Sequence, residues 1–163
     1  MGILDAVLAY WYAYLSQDAV LAAAATAAGW NGTSPWILMP QQRYVATYPS
    51  IVIGFDGGRS RPQGDDYSAS KWANGTLTNE ICCKMGDVDL DPITSVIQIQ
   101  ARLRQLLLGD PALELLPLVG TAISSQYNIT ECDIMGERWL PATDNTYQRY
   151  LLPCHLQVND YTL

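Results

Sequence analysis

The chain has 163 residues, room for one domain around one core, with a formal net charge of −7 from 16 acidic against 9 basic residues. Lys71 and Lys84 are the only lysines, so the basic footprint of a general nucleic-acid binder is missing, and 49% hydrophobic content excludes a disordered chain. Charged residues make up 15% of the chain, against about a quarter in a typical soluble domain, so the surface is either uncharged and polar or buried against other copies.

Residues 3–30 are rich in Ala, Leu, Val, Tyr and Trp, but they have neither the basic start of a signal peptide nor an unbroken apolar run. No Lys or Arg precedes Arg43, and Asp5, Ser16, Gln17 and Asp18 divide the stretch in two. It reads as two helices of a protein that stays inside the cell or in a particle assembled there. The first is expected over Ile3–Leu15, with Leu4, Val7, Leu8, Trp11 and Leu15 at helical spacing and Asp5 favourable to the dipole. The second starts at Ser16 or Asp18 and ends at Gly29, and its Ala22–Ala25 run allows a neighbour to approach closely.

Asn31 to Pro35 is a loop by composition, followed by a short strand at Trp36–Met39 that Pro40 stops. A second strand is expected at Ser50–Phe55, with Ile51, Ile53 and Phe55 on one face, and a third at Thr76–Met85. Between them, Asp56 to Gly75 is rich in Gly, Ser and Asp and reads as a long exposed loop or an extended hairpin arm. Asp91 as N-cap and Pro92 at N1 open a long helix with Ile93, Val96, Ile97, Ile99, Leu103, Leu106 and Leu107 on its apolar side. Gly109 ends it, and Asp110-Pro111 opens a short helical continuation through about Leu116. Strands are expected at Tyr127–Ile134 and Tyr147–Val158, with a loop or short extra strand around Trp139 between them. Tyr150, Leu152, Cys154, Leu156 and Val158 share a face of the last strand, where Pro153 suggests an edge or a bulge. The expected class is α+β: a largely antiparallel sheet flanked by helices, one domain over 1–163, with a polar arm at 56–79.

Chemistry is sparse. Cys82, Cys83, Cys132 and Cys154 have no C-x-x-C spacing, and they read as free thiols packed like small hydrophobes, as two disulfides or, with His155, as a zinc cage built from distant strands. His155 is the only histidine; adjacent strand residues face opposite ways, so a Cys–His site would need Cys82, Cys83 or Cys132 rather than Cys154. Asp87, Asp89 and Asp91 resemble the opening of a calcium loop, but Pro92 and Gln98 stand where such a loop needs Gly and Glu. A small enzyme using His155 with a cysteine, or the Asp cluster, is the alternative to a non-catalytic role. A monomeric binding module is a third reading. Asp56-Gly57-Gly58 is a turn pattern, without the Lys-Ser/Thr of a phosphate loop. Arg59, Arg61, Asp65 and Asp66 give the arm mixed charge, as a solvated or a subunit-contacting element. Ten Tyr and five Trp against one Phe favour the amphipathic aromatics enriched at interfaces. Tyr10, Tyr12 and Tyr14 cannot all share the core stripe with Trp11, and with Arg59, Arg61, Asp65 and Asp66 they are the candidate subunit-interface residues, the alternative being boundary residues of a single domain.

Three segments resemble the tail terminator (tail-completion, head-tail joining) proteins of long-tailed bacteriophages. They are the helix–break–helix of Leu4–Leu15 and Asp18–Gly29, the Tyr48-Pro49 that leads into the apolar strand 50–54, and the ending from Tyr127 through Gly136 and Asp144–Tyr150. The resemblance implies a structural virion protein, without catalysis, cofactor or metal. It implies a homohexameric ring that caps the tail tube at the head-proximal end, contacts the tail tube and connector proteins, and lets DNA through its lumen. A neck or head-completion protein of the same region is the close alternative.

Overall fold

The computed structural model describes residues 3–39, 48–62, 71–84, 92–141 and 147–160. Helix α1 (Ile3–Ser16) buries Val7, Trp11 and Leu15 of the expected stripe, while Leu4 and Leu8 are half-buried at its margin. Helix α2 (Ala19–Ala27) starts where Asp18 accepts a hydrogen bond from the Leu21 amide, and it is followed by Gly29 at φ 104°. The Asp18 carboxylate is also a tertiary anchor, because the Arg102 guanidinium donates to it at 2.8 and 3.1 Å with both side chains 11% exposed.

Burial pushes the Asp18 carboxyl upward, but bonds from Arg102 and from the Leu21 and Val20 amides outweigh it and hold the pKa below its ordinary 3.8. A pKa depressed by folding stabilises the protein above the unfolded value and loses that contribution as pH falls through the folded one. Asp18→Asn keeps a good N-cap and removes the charge, so it is expected to cost about 1.5 kcal/mol at pH 7. Thermal unfolding at neutral pH is expected to show Tm lower by about 3–6 °C. The gap from wild type is expected to narrow once pH drops below 3.8.

Among the described residues the strands form one sheet, in the spatial order first, second, third, sixth and fourth along the chain, with the fifth also on the sixth. They are β1 (Ile37–Leu38), β2 (Ser50–Pro62), β3 (Lys71–Lys84), β4 (Tyr127–Ile134), β5 (Arg138–Trp139) and β6 (Tyr147–Asp160). Every pairing is antiparallel except β1 with β2, which agrees with the α+β class expected from sequence. The Tyr48–Pro49 peptide ahead of β2 is cis. Helix α3 (Pro92–Leu108) packs with α1 and α2 on one face of the sheet, around Trp11, Leu21, Ile53, Leu77, Ile99 and Leu156. The opposite face of β3, β6 and β4 carries Asn74, Thr76, Thr78, His155, Gln157 and Asp133. Uncharged polar side chains therefore cover much of what the low charge content left unexplained.

Several boundaries differ from expectation. The polar segment after Phe55 continues β2 to Pro62, and β3 begins at Lys71, so described parts of the 56–79 arm pair as a hairpin. Gly57-Gly58 is not its turn but a bulge, where the β2–β3 register shifts between Asp56 and Arg59. Ile97 is exposed rather than in the core stripe of α3. The continuation after Gly109 is a 3-10 turn at Pro111–Leu113, closed by Glu114 in the left-handed region, and it does not reach Leu116. Gly109 itself has φ +77°, and a Cβ there would meet the Pro117 nitrogen at 2.7 Å, so only glycine fits the turn.

Pro153 sits in a central strand, between β3 and the β4/β5 side, rather than at an edge. Its carbonyl accepts from the Met135 amide at 3.1 Å, just past the last β4 pair. In an antiparallel strand a residue's N–H and C=O face the same neighbour. The missing N–H therefore faces Met135, beyond the last β4 pair, and not β3, so the β3–β6 ladder loses no bond.

Candidate interaction surface

The chain's chemistry-bearing residues are not brought together. His155 is half-buried on the polar sheet face, opposite Thr76 and Asp133, while Cys154 and Cys132 face the core. Cys82 and Cys83 pair with Arg149 and Gln148, six and seven residues along β6 from His155, roughly 20 Å away in an extended strand. A Cys–His nucleophile centred on His155 is therefore not assembled. None of the four cysteines is in a disulfide, and all four are buried. Burial, with the neighbouring Cys82 adding, pushes the Cys83 thiol up to about 12, which makes it inert near neutral pH. Among the described residues no group of three His, Cys, Asp or Glu is placed to hold a metal ion. Asp87, Asp89 and Asp91 lie outside the described residues, as do Asp65 and Asp66.

The aromatic helix divides as its crowding suggested. Trp11 is fully buried and donates its indole N–H to Asn79 Oδ1 at 2.8 Å. Tyr10 and Tyr14 are half-buried against the core edge and stack on each other at 6.0 Å and 12°. Burial, with the Tyr14 charge adding, raises the Tyr10 phenol pKa. Tyr12 is exposed and lines a groove with Trp30, Ser34, Pro35 and Trp36. Trp30 and Trp36 pack at 5.5 Å, and the Trp30 N–H donates to the Ser34 carbonyl at 2.7 Å, so this groove has a fixed wall. Arg59 and Arg61 lie on the β2 side of the hairpin arm, opposite Asn74 and Trp72.

A second surface escaped the sequence reading. Leu108, Leu113, Leu116, Val119, Met135 and Trp139 are all exposed, Leu116 at 82%. They belong to the end of α3 and to the two turns fastened to it. In the first turn, Leu118 is a buried plug whose amide donates to the Leu107 carbonyl at 3.0 Å. Reciprocal 3.0 Å bonds between Asp110 and Leu115 close its middle, and bonds between Gly120, Thr121 and Ile129 dock its far end on β4. In the second turn Glu137 pairs with Arg104 and accepts from Gln100 Nε2 at 2.8 Å and from the Tyr150 hydroxyl at 2.7 Å. Trp139 meets the Tyr150 ring edge-on at 5.2 Å.

Both turns are thus pinned in place with apolar side chains pointing out, where a loose loop would fold them in. Exposed apolar groups on a rigid frame mark contact surfaces. The signal in the sequence was the density of Leu between Leu113 and Val119, in a segment that Pro111, Pro117 and Gly120 make too short and broken to bury it. Among the described residues no helix is long and apolar enough to cross a membrane.

Neither a protein-family model nor a curated protein sequence matches the chain. Among solved structures, the chain is similar to one from the virion of a native gene transfer agent (GTA) particle. The TM-score is 0.59 at 15% sequence identity, covering 97% of this chain and 98% of that one. At that identity the likeness is one of fold, and it extends over essentially the whole length of both chains.

Proposed function

We propose that the chain is a structural virion protein, a tail terminator that closes into a ring, a hexamer on the strength of the sequence resemblance, on the head-proximal end of a tail tube. The observation that carries this reading is the end-to-end likeness to a chain of a GTA virion particle, met independently by the terminator-like order of the sequence. Two further features support it. The rigid apolar turns beside α3 offer a surface for a neighbouring copy, and the hairpin arm with Arg59 and Arg61 offers a reaching element. The reading assigns Tyr12 and the arm residues Asp65 and Asp66 to subunit contacts, and it gives Tyr10 and Tyr14 the part of bracing that helix face. An acidic balance of −7 suits a lumen through which DNA moves without adhering, because like charge repels phosphate. The partners on this reading are other copies of the chain, the tail tube protein and the connector above it, in a particle assembled in the host cytoplasm, and the role uses no catalysis or cofactor.

Native mass spectrometry across a concentration series tests the ring. The expected result is a single closed oligomer in preference to a ladder of sizes, since a heterologous contact that closes leaves no free end. A monomer at all concentrations, with no binding to assembled tail tubes, would overturn the reading. Binding to the connector but not to tubes would move the chain to the neck.

A further inference from the structure

Strands β4 and β6 bring two thiols into contact inside the core. The Cys132 and Cys154 sulfurs are 3.1 Å apart, and both residues are buried. Cys132 lies opposite Leu156 and Cys154 opposite Ile134, so the two are diagonal neighbours on the same sheet face. A disulfide needs the sulfurs about 1 Å closer, at roughly 2.05 Å. The β4 bulge, where the register shifts between Ile129 and Glu131, lies just ahead of Cys132 and supplies slack for that movement. Cys82 and Cys83 have no such cross-strand thiol; their β6 partners are Arg149 and Gln148.

We infer that Cys132 and Cys154 are a redox pair that closes to a disulfide within the chain by exchange with a small-molecule disulfide. The Cys132 thiolate attacks one sulfur of the oxidant and expels its other half as a thiolate, giving a mixed disulfide. The Cys154 thiolate then attacks the Cys132 sulfur and expels the second half. Two electrons pass to the oxidant, and the two thiol protons leave with its two thiolates. Cys132 is the better attacker, because the hydrogen bond from Cys154 lowers its pKa against the opposing effect of burial, while the same contact and burial raise that of Cys154. Closure also changes a link to α3, since the Cys132 thiol faces the Leu107 carbonyl at 3.7 Å, the carbonyl that holds the Leu118 plug. The pair thus sits directly beneath the first apolar turn.

The test is incubation of the folded chain in glutathione buffers from fully reduced to fully oxidised, followed by alkylation under denaturing conditions and peptide mapping. In a variant carrying Cys82→Ala and Cys83→Ala, the expected result is loss of both remaining thiols in oxidised buffer. No retained glutathione and no dimer are expected, and both thiols return in reduced buffer. Thiols that stay alkylatable at every ratio would overturn the inference, as would a glutathione adduct that never resolves. Should the double variant not fold, mapping of the wild-type chain decides: a 132–154 bridge supports the pair, and a bridge through Cys82 or Cys83 overturns it.

Discussion

If the chain closes into the proposed ring through these turns, Leu116→Asp is expected to abolish the ring and keep the fold. Leu116 is 82% exposed and ends in solvent, so replacing it removes no core contact, and stability is expected to change by no more than about 0.5 kcal/mol. In an interface it would meet an apolar surface, and a carboxylate there would be desolvated without a partner. Loss of such an anchor typically costs 2 kcal/mol or more, about 30-fold in each contact's affinity. A closed ring repeats the contact at every junction, so the oligomer is expected to give way to monomer over the working concentration range. Trp139→Asp should act the same way from the second turn, with a somewhat larger effect on Tm because its ring also packs on Tyr150. Native mass and thermal unfolding, measured together, check both variants. Assembly at wild-type concentrations would remove this surface from the interface and leave the Tyr12 groove and the arm as the remaining contacts.

Asn79→Leu is expected to have the largest effect on stability. Asn79 lies at the centre of β3 and is fully buried, accepting from Trp11 at 2.8 Å and donating to the Leu152 carbonyl at 3.2 Å. It therefore joins α1, β3 and β6 through one amide in the middle of the core. Leucine matches its size but leaves the Trp11 N–H buried without an acceptor, at a cost of about 2–3 kcal/mol and a Tm roughly 5–10 °C lower. Trp11→Phe removes the same N–H and leaves space behind it. In the double variant the stranded donor is gone, so the combined loss is expected to fall short of the sum by about 1–2 kcal/mol. Urea unfolding of the four chains measures this coupling. Losses that simply add would show that the bond does not hold α1 to the sheet.

Spacing along the chain was enough for most of the helical layer. Val7, Trp11 and Leu15 repeat at helical intervals and are buried, Asp18 caps α2, and Gly109 ends α3. These are local properties, set by side-chain periodicity and by which backbone angles a residue tolerates. The alternation of Leu152, Cys154, Leu156 and Val158 likewise marks the core face of β6 without reference to the strands beside it.

What a strand pairs with is not local. Pro153 suggested an edge, because on its own a residue without an N–H weakens a central strand; only the break between β4 and β5 shows which neighbour would have received that bond. Gly57-Gly58 carried a turn signal that the sheet uses for a bulge. Asn79 shares the parity of Leu77 and Ile81, which places it on the core face of β3, but nothing local shows that the Trp11 indole N–H is brought over it. The contact between Cys132 and Cys154 depends on register across residues 22 apart in the chain. By itself, then, the sequence determined the fold class, the helix limits, the scarcity of charge and the absence of any recognisable catalytic motif. Tertiary structure alone decided which polar and sulfur groups meet, and which leucines stay outside: pairing distances are set by the folded sheet, whereas periodicity is written residue by residue.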